Sequence, residues 1–306
     1  MSHETLIAAL KRKDDEFYTQ YKDICDGILP MMSLLEGKKI LLPCDDKDSK
    51  FFQFFSYQMS DSRYKPRQVV VTHLDHNDNE NRPSFYIITP ESTSIGVLQS
   101  SSGDFFSDEI QKKVDDCDVV ITNPPFSLEA NMIKNCFDKH KDFIFIGPET
   151  LLINRQLFPH VRDGKMYGYG KPRYFIRPDG TLRRLGNTLW ITSFNPPCGT
   201  KKFVPTKHYE DVKNLMKPYE NYGALNVDKI QDSPMDYDGF MGVPATYLKY
   251  RNDDIFKIIG LGISHAVGKN YSGEVPHAYL KESHGGNPFV DGHVTYTRVF
   301  IKNITI

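Results

Sequence analysis

The chain lacks the marks of several large protein classes. Its five cysteines are widely spread without any Cys-x-x-Cys pair, which fits neither a disulfide framework nor a zinc cage. No run approaches the roughly 20 apolar residues that a membrane-spanning helix needs, and the first residues lack the basic and then apolar pattern of a secretory signal. We therefore expect a cytoplasmic protein with reduced thiols and no membrane association.

Histidine is not arranged as a metal site either. None of the ten histidines has a His-x-x-x-His partner, and His73 and His76 lie three residues apart beside Asp75 without further ligands. Such spacing alone is common by chance, so the sequence predicts no metal site.

The chain does contain enough apolar sequence for a large core. At 306 residues with 39% hydrophobic positions, it can form one large domain, or one domain with an appendage. Short apolar runs, separated by helical segments, predict buried strands at residues 39–44, 68–72, 85–89, 117–122 and 142–147, with later strand-like runs at 188–194, 246–250 and 294–306. This alternation favours an α/β fold with a doubly wound, Rossmann-like sheet, which binds ligands at the carboxyl ends of its strands.

A basic segment interrupts the alternation. Between Leu151 and His208 there are eleven Lys or Arg but only two acidic residues, interleaved with aromatic residues such as Tyr174 and Trp190. This pattern is typical of a surface that binds a polyanion with stackable rings. The alternative is a set of solvated charged loops.

The motif Asn123-Pro124-Pro125-Phe126 directly follows the predicted strand at 117–122. The Asn side-chain oxygen and the Pro124 carbonyl can accept both protons of a planar amine such as adenine N6, which draws its lone pair out of the ring plane. The prolines fix the backbone so that the acceptors converge, and Phe126 offers a face for a stacked base. Such a site works by positioning and electrostatics, and a duplex base reaches it only by flipping. The alternative is a proline-rich turn.

A second Asn-Pro-Pro sequence serves as an internal comparison. Asn195-Pro196-Pro197-Cys198 also follows a strand-like run, but it lacks the aromatic residue and lies outside the regular alternation. We interpret it as a structural turn.

The motifs occur in an order that resembles a known family. They are Asp15 to Gln20, Ile40 to Asp46 with Ser49 and Phe51, Thr122 to Ser127, Gly186 to Trp190, Tyr219 to Val227, and Asp236 to Tyr247. This ordered set resembles the EcoRI-type adenine-specific DNA methyltransferases over nearly the whole chain. The resemblance implies methylation of adenine N6 with S-adenosyl-L-methionine (SAM), in a bacterial or phage restriction–modification or related system. The implied partners are double-stranded DNA and, where such a pair exists, a separately encoded restriction endonuclease.

The resemblance also implies a set of SAM-binding residues. They are Tyr18, Thr19, Gln20, Cys44, Asp45, Asp46, Asp75, Asp104 and Phe105. The first three would hold the methionine end above the turn at 44–46, because carboxylates suit both an ammonium and a sulfonium. Asp75 would bind the ribose hydroxyls, and Asp104 would accept from the adenine amine with Phe105 beside the ring. An isolated Asp is a turn or helix cap about as often.

The turn at 44–48 departs from the general methyltransferase pattern. Asp46 and Asp48 stand where glycines are usual, a departure that the EcoRI-type family shares. How SAM is accommodated without those glycines is therefore a question for the structure.

Within this interpretation, the basic segment contacts DNA. Arg can pair bidentately with guanine, whereas Lys mostly contacts phosphate. The DNA-binding candidates are Arg173, Arg177, Arg183, Arg184, Lys201 and Lys202. We therefore predict a cofactor-binding and catalytic core at residues 1–154, a basic insertion for DNA recognition at 155–210, and the remainder of the catalytic sheet with a C-terminal region at 211–306.

Two other functions are compatible with the same residues. An RNA base or a protein amide presents a similar planar acceptor to a methyltransferase. A DNA-binding module without turnover is the non-enzymatic alternative, and the affinity for SAM separates it from both enzymes.

Overall fold

The computed structural model describes residues 18–61, 63–73, 84–99, 103–177, 179–196, 202–263, 274–276 and 286–306. The chain divides into two compact units: unit 1 comprises Met1–Leu151 and Met166–Cys198, and unit 2 comprises Leu152–Lys165 and Gly199–Ile306. These boundaries differ from the predicted ones at 154 and 210, because part of the basic segment supplies strands to the main sheet of unit 1.

The described residues contain six α-helices, and none of them is long and apolar enough to cross a membrane. Helices α1 to α6 are Tyr21–Ile28, Lys50–Asp61, Asp108–Asp116, Glu129–Asp138, Phe158–Arg162 and Tyr209–Val212. Strands β1 to β18 are Tyr18–Thr19, Lys39–Leu42, Gln68–Val71, Ser84–Ile88, Thr93–Val97, Val119–Thr122, Asp142–Pro148, Tyr167–Tyr169, Tyr174–Ile176, Leu182–Arg184, Thr188–Thr192, Lys217–Pro218, Ala224–Asn226, Phe240–Pro244, Phe256–Gly262, Phe289–Val290, His293–Val294 and Arg298–Asn303. Short 3₁₀ helices are Leu29–Leu34, Glu149–Ile153, Lys213–Leu215, Ile230–Asp232 and Ala245–Lys249.

Unit 1 is built on an eight-stranded sheet with the order β5-β4-β3-β2-β6-β7-β11-β8. Strands β3, β2, β6 and β7 are parallel to one another, and each flanking strand pairs antiparallel to its inner neighbour. Parallel strands are covered on both faces and therefore need continuous apolar runs. All four residues of β6 are buried. The predicted α/β fold with a central sheet is confirmed.

Helices cover both faces of this sheet. On one face, Ile28 of α1 and Phe54 of α2 belong to a buried cluster with inward side chains of β2, β3, β6 and β7. Neighbouring side chains on a strand point to opposite faces. On the other face, Phe143 of β7 packs edge-on against Phe137 of α4, with ring centroids 5.3 Å apart.

Gly27 allows α1 to approach strand β11 closely. A Cβ atom at this position would lie 2.2 Å from two atoms of the buried Trp190 indole. Tyr169 of β8 stacks on the same indole, and its hydroxyl donates to the Gly27 carbonyl at 3.1 Å. The indole therefore fixes the position of α1 against the sheet.

A three-stranded antiparallel sheet, with the order β1-β9-β10, is a second sheet of unit 1. Strands β9 and β10 form a hairpin whose turn contains Gly180 at φ +82°. Strand β1 joins β9 through the pairs Tyr18 with Ile176 and Thr19 with Phe175. This sheet ties the hairpin of the basic segment to the strand that carries two predicted SAM-binding residues.

Unit 2 contains its own five-stranded sheet with the order β12-β13-β14-β18-β15. This differs from the prediction that residues 211–306 complete the catalytic sheet, because these strands hydrogen-bond with one another. Most of the run at 246–250, predicted as a strand, lies instead in the 3₁₀ helix Ala245–Lys249. Its adjacent residues Tyr247 and Leu248 are both buried, which a strand with one covered face does not allow.

Candidate functional site

Unit 1 has a cavity of about 510 Å³ at the carboxyl ends of β2, β3 and β6. The chain order reverses direction across the sheet here, because β3 and β6 lie on opposite sides of β2. Ligands of parallel sheets bind at such a point, and the volume is typical of small-molecule sites. The lining residues are Tyr18, Thr19, Gln20, Pro43, Cys44, Asp45, Asp46, Asp48, Ser49, Lys50, Phe51, His73, Gly103, Asp104, Phe105, Asn123, Pro124, Pro125, Leu128, Met132 and Ile176.

The turn from β2 to α2 forms one wall of the cavity without any glycine. Oδ1 of Asp46 accepts a hydrogen bond from the N–H of Asp48 at 2.9 Å. Oγ of Ser49 accepts from the N–H of Phe52 at 3.0 Å and so caps α2. No residue from 43 to 49 has a positive φ, the conformation that favours glycine. Acidic and hydroxyl side chains therefore build this turn, at the place where the general pattern described in the sequence analysis has glycines.

The carboxyl of Asp45 is buried in the same wall. Its backbone N–H donates to the carbonyl of Thr72 at 3.0 Å, which holds the turn against the end of β3. Burial is the main cause that raises the pKa of Asp45 to about 7, and the charge of Asp46 acts in the same direction. A hydrogen bond with Ser49 opposes this shift. A cation beside this carboxyl would favour its ionised form.

Three buried polar atoms of the cavity wall have no hydrogen-bond partner among the described residues. They are Oγ1 of Thr19, Oδ2 of Asp45 and Nδ1 of His73. An unpaired buried polar group costs about 1–3 kcal/mol, which a ligand that pairs with it recovers. The lining also contains four aspartates against one lysine and one histidine. The cavity therefore suits a ligand with several polar groups and a positive charge.

Asn123 reaches the cavity from the end of β6. Asn123, Pro124 and Pro125 all line it. The carbonyl of Pro125 accepts from the N–H of Leu128 at 2.9 Å, which closes the turn into α4. Phe126 is partly buried against the core cluster and does not belong to the lining. The motif thus brings Asn123 and both prolines to the cavity, and the predicted stacking role of Phe126 stays a prediction.

Asp104 and Phe105 line the cavity just before α3. Phe105 is buried and packs edge-on against Phe106 at 5.0 Å. Oδ1 of Asp104 accepts from the N–H of Phe106 at 3.0 Å, and its backbone carbonyl accepts from the Ser107 hydroxyl at 2.6 Å. Asp104 therefore stabilises a turn, as the structural alternative anticipated, and it also lies on the cavity.

The structure brings together most of the residues predicted from the sequence. Eight of the nine predicted SAM-binding residues line the cavity, and Asp75 lies outside the described residues. Among the residues of the lining, sequence reasoning missed His73, Leu128, Met132 and Ile176. The position of His73 after β3 could have suggested it, whereas Ile176 reaches the cavity only because β9 pairs with Tyr18 of β1.

The predicted DNA-binding residues are divided between the two units. Arg183 and Arg184 lie in β10, and Arg173 and Arg177 flank β9, so these four share one hairpin of unit 1. None of the four lines the cavity. Lys202 lies in unit 2 and pairs with Asp254 at 2.7 Å, and Lys201 lies outside the described residues. Contact of these residues with DNA stays a prediction.

The second Asn-Pro-Pro sequence is described by the structure only at Asn195 and Pro196, because Pro197 and Cys198 lie outside the described residues. It follows β11, which runs antiparallel to β7, so Asn195 emerges near the amino end of β7. Ser193 marks this end of β7, because its hydroxyl donates to Asp142, the first residue of β7, at 2.9 Å. Strand direction therefore separates Asn195 from the cavity that Asn123 lines.

Metal ligands are not clustered in the part of the chain that the structure describes. No group of three or more His, Cys, Asp or Glu side chains there could hold a metal ion. The sequence neighbours of His73, namely Asp75 and His76, lie outside the described residues.

Comparison with known proteins gives one family and a consistent set of relatives. Residues 5–304 match the family described as adenine-specific methyltransferase EcoRI. The type II methyltransferase M.EcoRI of Escherichia coli is 27% identical over 84% of this chain and 89% of its own length. M.MgeORF184P of Mycoplasma genitalium is 25% identical over 96% of this chain and 97% of its own. M.MpnI of Mycoplasma pneumoniae is 26% identical over 96% of both chains.

Proposed function

The chain belongs to the EcoRI family of adenine-specific methyltransferases, and on that premise we propose that it transfers the methyl group of SAM to N6 of adenine in double-stranded DNA. The observation that carries the proposal is the position of Asn123 in the wall of a cavity whose charged lining residues are mainly acidic. The parallel strands, with helices on both faces and a cavity at the strand reversal, support a Rossmann-like cofactor domain.

The composition of the cavity fits SAM. When bound, SAM supplies an electrophilic methyl group on a sulfonium. The carboxyl groups of Asp45 and Asp46 would balance the positive charges of the sulfonium and the ammonium. Thr19 and His73 would offer hydrogen bonds to the cofactor, and the buried ring of Phe105 would supply apolar contact for its adenine.

Asn123 and Pro124 prepare the acceptor amine. Oδ1 of Asn123 and the carbonyl oxygen of Pro124 accept the two protons of the adenine amino group. These bonds direct the nitrogen lone pair away from the ring, so that it can attack a methyl group. Both acceptors are fixed before the reaction by the proline turn, which is the condition for electrostatic preorganisation.

The acceptor base must leave the duplex to reach Asn123. An adenine inside the stack cannot enter a cavity of this size, so flipping precedes the reaction at a cost of a few kcal/mol. Leu128 and Met132, which also line the cavity, supply apolar contact for the flipped ring.

The test is transfer of labelled methyl groups. We expect purified protein, given methyl-labelled SAM and unmethylated double-stranded DNA, to produce N6-methyladenine that is recovered after digestion to nucleosides. Asn123→Ala should lower the rate about 100-fold or more, because one of two preorganised acceptors is lost.

Asn195→Ala is the matched control. It makes the same substitution in the same Asn-Pro-Pro sequence at the opposite edge of the sheet, and the wild-type rate is expected. Label recovered in RNA or in a protein substrate, but not in DNA, would contradict the proposed acceptor. Absence of SAM binding would leave the DNA-binding module as the function to pursue.

A further inference from the structure

The small sheet β1-β9-β10 has one buried and one exposed face. Directly paired residues of antiparallel strands point to the same face. Thr19 and Phe175, a pair of the β1–β9 ladder, are buried. The exposed face, which we call the hairpin face, consists of Tyr18, Tyr174, Ile176, Leu182 and Arg184.

The hairpin face is unusually apolar for a surface. Tyr18 is 54% exposed, Tyr174 is 45% exposed and Leu182 is 64% exposed. Single exposed apolar residues need no explanation, but three large ones on one small face indicate a surface that another molecule covers.

The hairpin face continues into the wall of the cavity. Tyr18 and Ile176 are paired across β1 and β9, and both line the cavity. Leu182 pairs with Ile176 from the other side, which brings their Cβ atoms within roughly 4.5–5.5 Å of each other. Leu182 is therefore one side chain away from the cavity that must receive the base.

The charge around the hairpin face identifies the molecule that covers it. Arg184 pairs with Tyr174 on the same face, and Arg173 is exposed beside it. The neighbouring acids are engaged within the protein: Asp179 accepts from Thr181 in the turn, and Asp23 accepts from the backbone of 173 and 174. An apolar surface with arginines fits stacked bases flanked by phosphates better than it fits an acidic protein or a hydrocarbon surface.

We propose that the hairpin face docks on the DNA duplex at the target adenine, with Leu182 as an apolar wedge that fills the space left by the flipped base. The inference rests on the proposed function and adds the residue that sustains flipping. Leu is one of the side chains that unstack base steps when inserted into DNA. The wedge stabilises the open duplex while Asn123 holds the base.

The test compares two exposed aliphatic residues of unit 1. Leu182→Ala removes the wedge, and Ile95→Ala removes a side chain of similar exposure, 68%, on the edge strand β5. Duplex oligonucleotides carry the site mapped from wild-type methylation, either fully paired or with the base opposite the target adenine removed. Methylation rates and the fluorescence of 2-aminopurine at the target position are measured.

We expect Leu182→Ala to slow methylation of the paired duplex roughly tenfold and to lower the 2-aminopurine signal, because refilling the stack then competes with flipping. The duplex without the opposing base should restore most of the rate, and Ile95→Ala should match the wild type on both. The wedge would be overturned if Leu182→Ala and Ile95→Ala methylated the paired duplex at equal rates. It would also be overturned if Leu182→Ala lost the same fraction of the methylation rate on both duplexes. A change in oligomeric state without a change in methylation would assign the face to protein contact and overturn it as well. An inactive wild type would instead refute the proposed function.

Discussion

At the scale of the residue, the carboxyl group of Asp45 lies in buried surroundings that disfavour its ionised form. Burial raises its pKa to about 7 in the free protein, far above the value of about 4 for an exposed aspartate. Its folded-state pKa is raised, so the neutral form dominates below pH 7. A bound cation lowers this pKa, and binding must therefore release a proton.

The affinity for SAM should consequently depend on pH through Asp45. If the ionised carboxyl binds the cation, the dissociation constant falls about tenfold as the pH rises from 6 to 7.5. Asp45→Asn cannot titrate and should bind SAM more weakly, with an affinity that changes little over this range. Calorimetry in two buffers of different ionisation enthalpy measures the affinity and the proton release together.

Asp48→Asn provides the control for the pH dependence. It changes a neighbouring acid of the cavity wall, and the wild-type pH dependence is expected to persist. Another group would be responsible for the pH dependence if the SAM affinity of Asp45→Asn changed with pH as steeply as that of the wild type. A SAM affinity of the wild type that did not change with pH would contradict the prediction.

At the scale of the element, the contact of α1 with β11 gives a stability prediction. In Gly27→Ala, better helix propensity contributes about 1 kcal/mol. The added methyl would lie 2.2 Å from the buried Trp190 indole, and overpacking of a core costs about 1–3 kcal/mol. Because Tyr169 stacks on the indole and restricts its movement, the clash should outweigh the gain, with a net loss of up to about 2 kcal/mol in the free energy of unfolding.

Urea unfolding, followed by circular dichroism and by the fluorescence of the single tryptophan, measures this loss. Gly186→Ala is the control, because nothing lies within 4 Å of the added methyl, and a change below about 0.5 kcal/mol is expected. A Gly27→Ala protein as stable as the wild type would mean that the indole moves at little cost.

The elements differ in how well the sequence predicts them. The parallel strands are visible as apolar runs because both of their faces are covered, and the turns after them are visible as polar residues at fixed places. Strands β1 and β9 are two and three residues long, and their pairing joins residues far apart in the chain, so no local pattern reveals it. For this reason the sequence predicted Tyr18 at the site but not Ile176.

At the scale of the whole molecule, the cavity belongs to one compact unit. Every residue of its lining lies in unit 1. Binding of SAM should therefore slow amide hydrogen exchange around β1, the turn after β2, residues 103–106 and the turn after β6. The sheet of unit 2, for example β14 and β18, should exchange at unchanged rates and serves as the internal control.

Hydrogen exchange with mass spectrometry, at saturating SAM and in its absence, checks this distribution. Protection of similar size in β14 and β18 would show that the ligand acts on the whole chain. The same data test the division of the basic segment, because β9 and β10 should respond with unit 1 through their pairing with β1.

We expect strand β1 to make the binding of SAM and the binding of DNA thermodynamically dependent on each other, because it lies between the two proposed sites. It is only two residues long, both Tyr18 and Thr19 line the cavity, and its ladder partner β9 belongs to the hairpin that carries the arginines. A short strand of this kind gains order from whichever ligand arrives first, and the second ligand then meets less entropic opposition. Linkage requires the effect to be reciprocal: the factor by which SAM strengthens DNA binding must equal the factor by which DNA strengthens SAM binding. The enzyme would then favour the ternary complex over either binary complex, whatever the order of addition.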